Sequence, residues 1–274
     1  MSRTSATRVP LEVLRRQAIA LGAAAGLPSP RAAELAGHVL WYETFGGVAS
    51  GLRALPGWLE GLAAGRYDPA AAGRVLAERT GTAHLDAART LPPVAMAQAA
   101  TIAAEKAREN GAAVLRVENL DGHCPAGDVA AREAVGPVAM LVLTARPSWS
   151  VAIPSAGDLP LLADTDLAAK PPAKGKGTAA ASPPEWVAPF TPLLAGFAPG
   201  PGGAVVLALL VPALDTLDAL RDRLPATPAA PWLASATLAE LRQEAEERGL
   251  PVPADLRKAL DRAAERLGIA GLDG

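Results

Sequence analysis

The chain has 274 residues, half of them hydrophobic, with 26 lysines and arginines against 28 aspartates and glutamates and a formal charge of -2. This length buries a substantial core as one large domain or two lobes. The near balance of charge supplies neither the basic surface that nucleic acid requires nor an acidic solvating block. The single cysteine, Cys124, excludes an internal disulfide framework and fits a reducing cytoplasm. Apolar runs such as 203–211 are too short to span a bilayer, so no membrane association is expected.

Residues 1–9 carry a little positive charge but no apolar signal core, which predicts a disordered start. Over 10–27, Leu11, Leu14, Ile19 and Leu21 fall near one face of a helix that Pro28 stops. Ser29-Pro30 then supplies an N-cap and first-turn pair for a second helix through about residue 42. A third helix over 52–64 ends at Gly65. Two alternating runs, 75–79 and 82–87, fit strands. An alanine-rich helix over 94–109 is closed by Asn110-Gly111 and leads into a strand at 112–117. A polar loop at 118–125, a short helix at 126–134 and a strand at 138–144 follow, the alternation of an α/β core. From 168 to 192 the composition shifts to Pro, Lys, Gly, Ala and Ser, that of a flexible linker or surface arm. A buried strand at 203–211, a helix at 215–223 and amphipathic helices at 238–248 and 254–267 complete the chain.

The stretch ETFGGVASGLRALPGWLEGLAAGRYDP over 43–69, the block EKARENGAAVLRVEN over 105–119, Asp166-Leu167-Ala168 followed by Ala173-Lys174-Gly175-Lys176, Pro184-Glu185-Trp186, and the tail RGLPVP over 248–253 together resemble the malate/L-lactate dehydrogenase family. This is the family of NAD(P)-dependent oxidoreductases that includes ureidoglycolate and sulfolactate dehydrogenases and piperideine-2-carboxylate reductase. The resemblance implies an α/β, sulfolactate dehydrogenase-like fold with N- and C-terminal helices, and a divergent member with a shortened cofactor-binding lobe. It divides the chain into a start at 1–9, a helical part at 10–72, an α/β core at 73–167, an arm at 168–192, and a strand with C-terminal helices at 193–274 returning to the core.

The departures fall on chemical positions. Where the family has Ser-His-Gly, whose histidine is the acid/base of hydride transfer, this chain has Ala49-Ser50-Gly51. Ala54 and Phe45 stand where the motif has arginines. Ser50 is a poor replacement, since an unactivated hydroxyl does not exchange a proton near neutrality. The family's Asn-Ser-x-His-x-Gly loop becomes Asn119-Leu120-Asp121-Gly122-His123-Cys124, with the histidine one position late. Pro201-Gly202-Gly203 resembles a remnant of the glycine-rich cofactor stretch, with glycine in place of lysine; alternatively the strand after it resembles a later strand of the family and the stretch between is deleted, and either alignment loses the lysine.

Ser50 and His123 are therefore the candidate catalytic residues, and Asn119, Asp121 and Gly122 the candidate cofactor contacts. Glu118, Asp121, His123 and Cys124 lie after a strand, where α/β proteins place ligands. There an imidazole could activate the thiol. The same residues also read as a solvated turn with Cys124 packed. The three histidines lack a metal-ligand spacing, so no metal is expected. His38 reads as a packed or surface helix residue and His84 as alternating within a strand.

The leading expectation is a cytoplasmic protein that has lost the family's NAD(P)-linked reaction, needs no cofactor, and acts as a binding or scaffold subunit. It would form a homodimer, or a heterodimer with an intact paralogue. The alternative is an active NAD(P)H-dependent oxidoreductase on a 2-oxo acid or cyclic imine with a rearranged active site.

Overall fold

The apolar stripes of the first 45 residues pack two helices, α1 (Leu11–Ala24) and α2 (Ser29–Phe45), on each other. The approach is close because Gly22 has no side chain: a Cβ there would lie 3.2 Å from Ala32 Cβ. The structure, a computed structural model, describes residues 6–47, 49–144, 148–155, 159–167, 202–214 and 232–272. It divides into two compact units, Met1–Ala71 with Glu240–Gly274, and Ala72–Ala239.

In the first unit, Pro28 rather than Ser29 caps α2, and no side chain bonds its first turn. Gly46, at φ 90°, ends that helix. α3 is shorter than the expected 52–64 and spans Leu55–Ala63, because the residues before it form turns. The start is ordered earlier than expected: Thr7–Val9 forms β1, paired antiparallel with β10 (Leu250–Val252). Arg8 reinforces this pair by donating to Gly249 O at 2.9 Å and to Glu244 at 2.7 Å. α7 (Ser235–Arg248) runs into this unit, and α8 (Ala254–Arg266) packs on α3 through its buried Leu256, Leu260, Ala263 and Ala264 face. Arg53 pairs with Asp255 at 2.8 Å and Arg266 with Glu60 at 3.1 Å.

The second unit is built on an eight-stranded sheet in the order β2-β3-β4-β8-β5-β6-β7-β9. These strands are Arg74–Arg79, Thr82–Asp86, Ala112–Glu118, Val138–Thr144, Ser148–Ile153, Leu161–Asp164, Ala204–Leu210 and Trp232–Leu233 for β2 to β9. β3 and β4 pair in parallel, and the other neighbours pair antiparallel. β8 lies between β4 and β5, which both run antiparallel to it. α4 (Pro92–Asn110) packs on β4 and β8 through an i, i+4 stripe of Ala95, Ala99, Ala103 and Ala107, whose small side chains bring the helix close to the strands. Gly111, at φ 85°, terminates it. α5 (Gly127–Ala134) packs on β5 and β6, and a single helical turn, α6 (Val211–Leu214), follows β8. Leu141, Leu143, Trp149, Val151, Ile153, Ala163 and Val205 form a buried apolar cluster within the sheet.

The arm at 168–192, including its lysines and Trp186, and the helix expected at 215–223 lie outside the described residues. None of the described helices is long and apolar enough to cross a membrane.

Candidate functional site

Polar side chains collect where the strands of the second unit end. Asn119 follows β4 in a left-handed conformation, φ 57°, which asparagine adopts more readily than most residues. Its Nδ2 donates to Asp86 Oδ1 at the end of β3, across 2.9 Å. Ala88 N donates to the same oxygen at 3.0 Å. The Asn119 bond first, and then the Ala88 bond, hold the Asp86 carboxyl below its ordinary range. Leu120 is buried, Asp121 is exposed, and Gly122, at φ 85°, has open space where a Cβ would point.

His123 is the centre of the constellation. Its Nε2 lies 3.0 and 3.2 Å from the two carboxylate oxygens of Asp166, with the imidazole 32% exposed and the carboxylate 15%. Ser148 Oγ donates to Asp166 Oδ2 at 3.1 Å and sits 2.9 Å from Thr165 Oγ1. Ser150 Oγ donates to Asp164 Oδ2 at 2.7 Å, and Asp166 N donates to Asp164 Oδ1 at 2.6 Å. The register explains this ladder: Ser150 and Asp164 are partners across β6 and β7, and residues two apart on a strand share a face. A carboxylate beside an imidazole fixes the ring and stabilises its protonated form. The arrangement can therefore hold and release a proton.

Cys124 adjoins this site but takes no part in such chemistry. It is fully buried, with Sγ 3.6 Å from Pro125 O. Burial above all, then the charges of Asp128 and Asp166, push its thiol well above the ordinary value. The reading of Cys124 as an activated nucleophile is thereby corrected, because reaction requires an accessible thiolate.

Ser50 belongs to the other unit and is 3% exposed. Its N–H and that of Gly51 donate to Gly47 O, both at 2.9 Å, while Leu52 N donates to Glu43 Oε2 at 3.0 Å. Gly51 packs directly on Glu43. Burial raises the Glu43 carboxyl above its ordinary range, opposed by the Leu52 bond and by Arg53. The segment that resembles the family's catalytic triplet is thus a packed turn around a half-buried carboxyl.

His38 is buried against Tyr42 and Trp58, with ring centroids 5.0 and 5.4 Å away, and is a core residue. His84 contacts Glu118 at 2.9 Å on the sheet. Among the described residues no group of three or more His, Cys, Asp or Glu side chains is placed to hold a metal ion.

The nicotinamide dinucleotide that the resemblance implies can be tested against the glycine remnant. Gly202, at φ 115°, gives its carbonyl to Leu120 N at 2.6 Å, and a Cβ on it would lie 2.7 Å from Leu120 O. Its lack of a side chain serves contact with its own chain. Asn119 is bonded to Asp86, which leaves Gly122 as the open backbone position in the loop 119–124. Ala173-Lys174-Gly175-Lys176, the other segment that the resemblance relates to the cofactor lobe, lies outside the described residues.

Ser148, Ser150 and Asp164 carry the site yet have no motif in the sequence. The available signal was their spacing, Ser-x-Ser on one strand and Asp-x-Asp on the next, and it becomes meaningful only once the strands are paired.

A family model described as malate/L-lactate dehydrogenase matches residues 9–179. No curated protein sequence matches the chain significantly. Among solved structures, malate dehydrogenase from Pyrococcus horikoshii OT3 superposes with a TM-score of 0.77 at 15% identity, covering 97% of each chain. Sulfolactate dehydrogenase from Methanocaldococcus jannaschii gives 0.76 at 15% identity, covering 97% of this chain and 99% of the other. The delta1-piperideine-2-carboxylate reductase from Pseudomonas syringae pvar. tomato gives 0.70 at 17%, covering 94% and 100%. At these identities the likeness speaks for a shared mixed α/β fold.

Proposed function

The chain belongs to the malate/L-lactate dehydrogenase family, and from that premise we propose that it has lost NAD(P)-dependent oxidoreduction of 2-hydroxy and 2-oxo acids and works as a binding or scaffold subunit. The observation that carries this reading is the burial of Ser50: the residue that the resemblance aligns with the family's proton donor is 3% exposed, in a turn bonded to Glu43. The closure of Gly202 on Leu120 supports it from the cofactor side. On this reading the protein is cytoplasmic, holds no nicotinamide, and pairs with a second copy or with an intact paralogue.

One observation favours a second reading, an oxidoreductase with a rearranged site. His123 is oriented by both oxygens of Asp166 and remains 32% exposed. Its imidazole could hand a proton to a carbonyl or imine, with Asp166 stabilising the protonated ring.

Titration of the purified protein with NADH and NADPH, followed by nicotinamide fluorescence and thermal midpoint together, separates the two. A ligand bound only by the folded state at a hundred times its dissociation constant stabilises it by about 2.7 kcal/mol. Absence of a saturable signal with either cofactor is the expected result. Saturable binding together with reduction of any 2-oxo acid or cyclic imine, abolished in His123→Ala, would sink the first reading and establish the second.

A further inference from the structure

We infer that Asp164, acting with Ser150, is a positioning residue that fixes the turn presenting Asp166 to His123. The inference rests on the reading of His123 as a proton-exchanging group, and it assigns a role to a carboxylate buried behind the pair.

Asp164 ends β7 and is completely buried. A buried carboxylate is costly unless its oxygens are bonded, and here each oxygen has a separate donor. Oδ2 accepts from Ser150 Oγ, itself 1% exposed, at 2.7 Å. Oδ1 accepts from the main-chain N–H of Asp166 at 2.6 Å. The first bond ties the carboxylate to the neighbouring strand and the second ties it to the chain two residues on. Together they set the direction in which the chain leaves the sheet, and hence where the Asp166 carboxylate stands. The main chain of Thr165 is held as well, by its N–H donating to Trp149 O at 3.1 Å. Ser148 completes the support by donating to Asp166 Oδ2 at 3.1 Å. The outcome is a carboxylate with both oxygens within 3.2 Å of His123 Nε2. Removing the Asp164 carboxylate takes away the acceptor of Asp166 N, so the Asp166 carboxylate shifts from His123 while β6 and β7 stay paired through their main chains.

The test is the titration of His123, read from imidazole proton–carbon correlations. The chain has only three histidines, and the His123 signal is assigned by its loss in His123→Ala. Asp166→Asn is the reference variant: removing the carboxylate lowers the His123 midpoint, since an adjacent negative charge favours the protonated ring. Ser150→Ala, which removes one of the two bonds to the Asp164 carboxylate without changing any charge, is expected to lower the same midpoint while Asp166 itself is unchanged. A merely structural role would depress the thermal midpoint and leave the His123 titration in place. If Asp166→Asn lowers the midpoint and folded Ser150→Ala does not, the positioning role is overturned while the proton-exchanging pair survives. If Asp166→Asn leaves the midpoint where it was, the pair itself fails and the inference falls with it. Should Ser150→Ala not fold, Asp164→Ala decides, made alone and beside Asp166→Asn: a lowering that disappears in the double variant supports the inference, and one that persists there is the lost charge and overturns it.

Discussion

Gly202 and Leu120 are in backbone contact across two segments more than eighty residues apart in the chain: Leu120 N donates to Gly202 O at 2.6 Å, and a Cβ at 202 would stand 2.7 Å from Leu120 O. The contact closes the loop after β4 onto the start of β8, where the family resemblance would place cofactor glycines. Gly202→Ala meets both a steric conflict with main chain and a φ of 115° that side chains rarely adopt. It should destabilise the protein by about 1–3 kcal/mol. Urea denaturation of the variant checks this, and an unchanged midpoint would mean that the loop gives way freely.

Restoring the family's histidine is expected to harm the protein. Ser50 is 3% exposed, so Ser50→His inserts an imidazole where a hydroxymethyl group is packed. Overpacking of this kind costs about 1–3 kcal/mol. The variant should melt at lower temperature and still show no NAD(P)H-dependent reduction of 2-oxo acids. Activity gained by this one substitution would show that the site needs only its proton donor.

Glu43 gives a pH dependence with a definite sign. Its carboxyl is raised above the ordinary value, chiefly by burial, against the opposing Leu52 bond and Arg53. A raised folded-state value means that its contribution to stability is fully present below the unfolded-state value and is lost as pH rises through the folded-state value. Glu43→Gln keeps an oxygen to accept from Leu52 N and removes the charge. Relative to wild type, the variant should therefore be more stable at pH 7 than at pH 4. Thermal melts of both proteins at the two pH values test this, and a relative gain at pH 4 instead would contradict it.

Cys124 should react slowly with thiol reagents in the folded protein and rapidly once denatured. Its complete burial and its raised thiol value both suppress the accessible thiolate. Mass spectrometry after timed iodoacetamide exposure measures the protection, and prompt labelling of the native protein would refute it.

Much of the local structure was legible because it depends on local patterns. The stripe of Leu11, Leu14 and Leu21, the Gly111 stop of α4 and the apolar run that became β8 each encode their element through periodicity or backbone freedom. β1 was missed because three residues carry no period; it exists through its pairing with β10, over two hundred residues away in the chain. β6 went unread because SWSVAI combines small, polar and apolar residues without clean alternation, and all six are buried.

The sequence by itself determined the helices α1, α2 and α4, the strands β4, β5 and β8, and that serine stands where the resemblance expects a histidine, since these are matters of residue identity and short spacing. Only the tertiary structure decided that Ser50 is packed in a turn around Glu43, that Cys124 is sealed, and that Gly202 is occupied by Leu120. It alone brought His123 to Asp166, 43 residues further on, with Asp164 and Ser150 behind them. The physical reason is register: side chains on two strands meet only when main-chain hydrogen bonds set which residue faces which, and no local pattern in this chain specifies that β6 and β7 pair with Ser150 opposite Asp164.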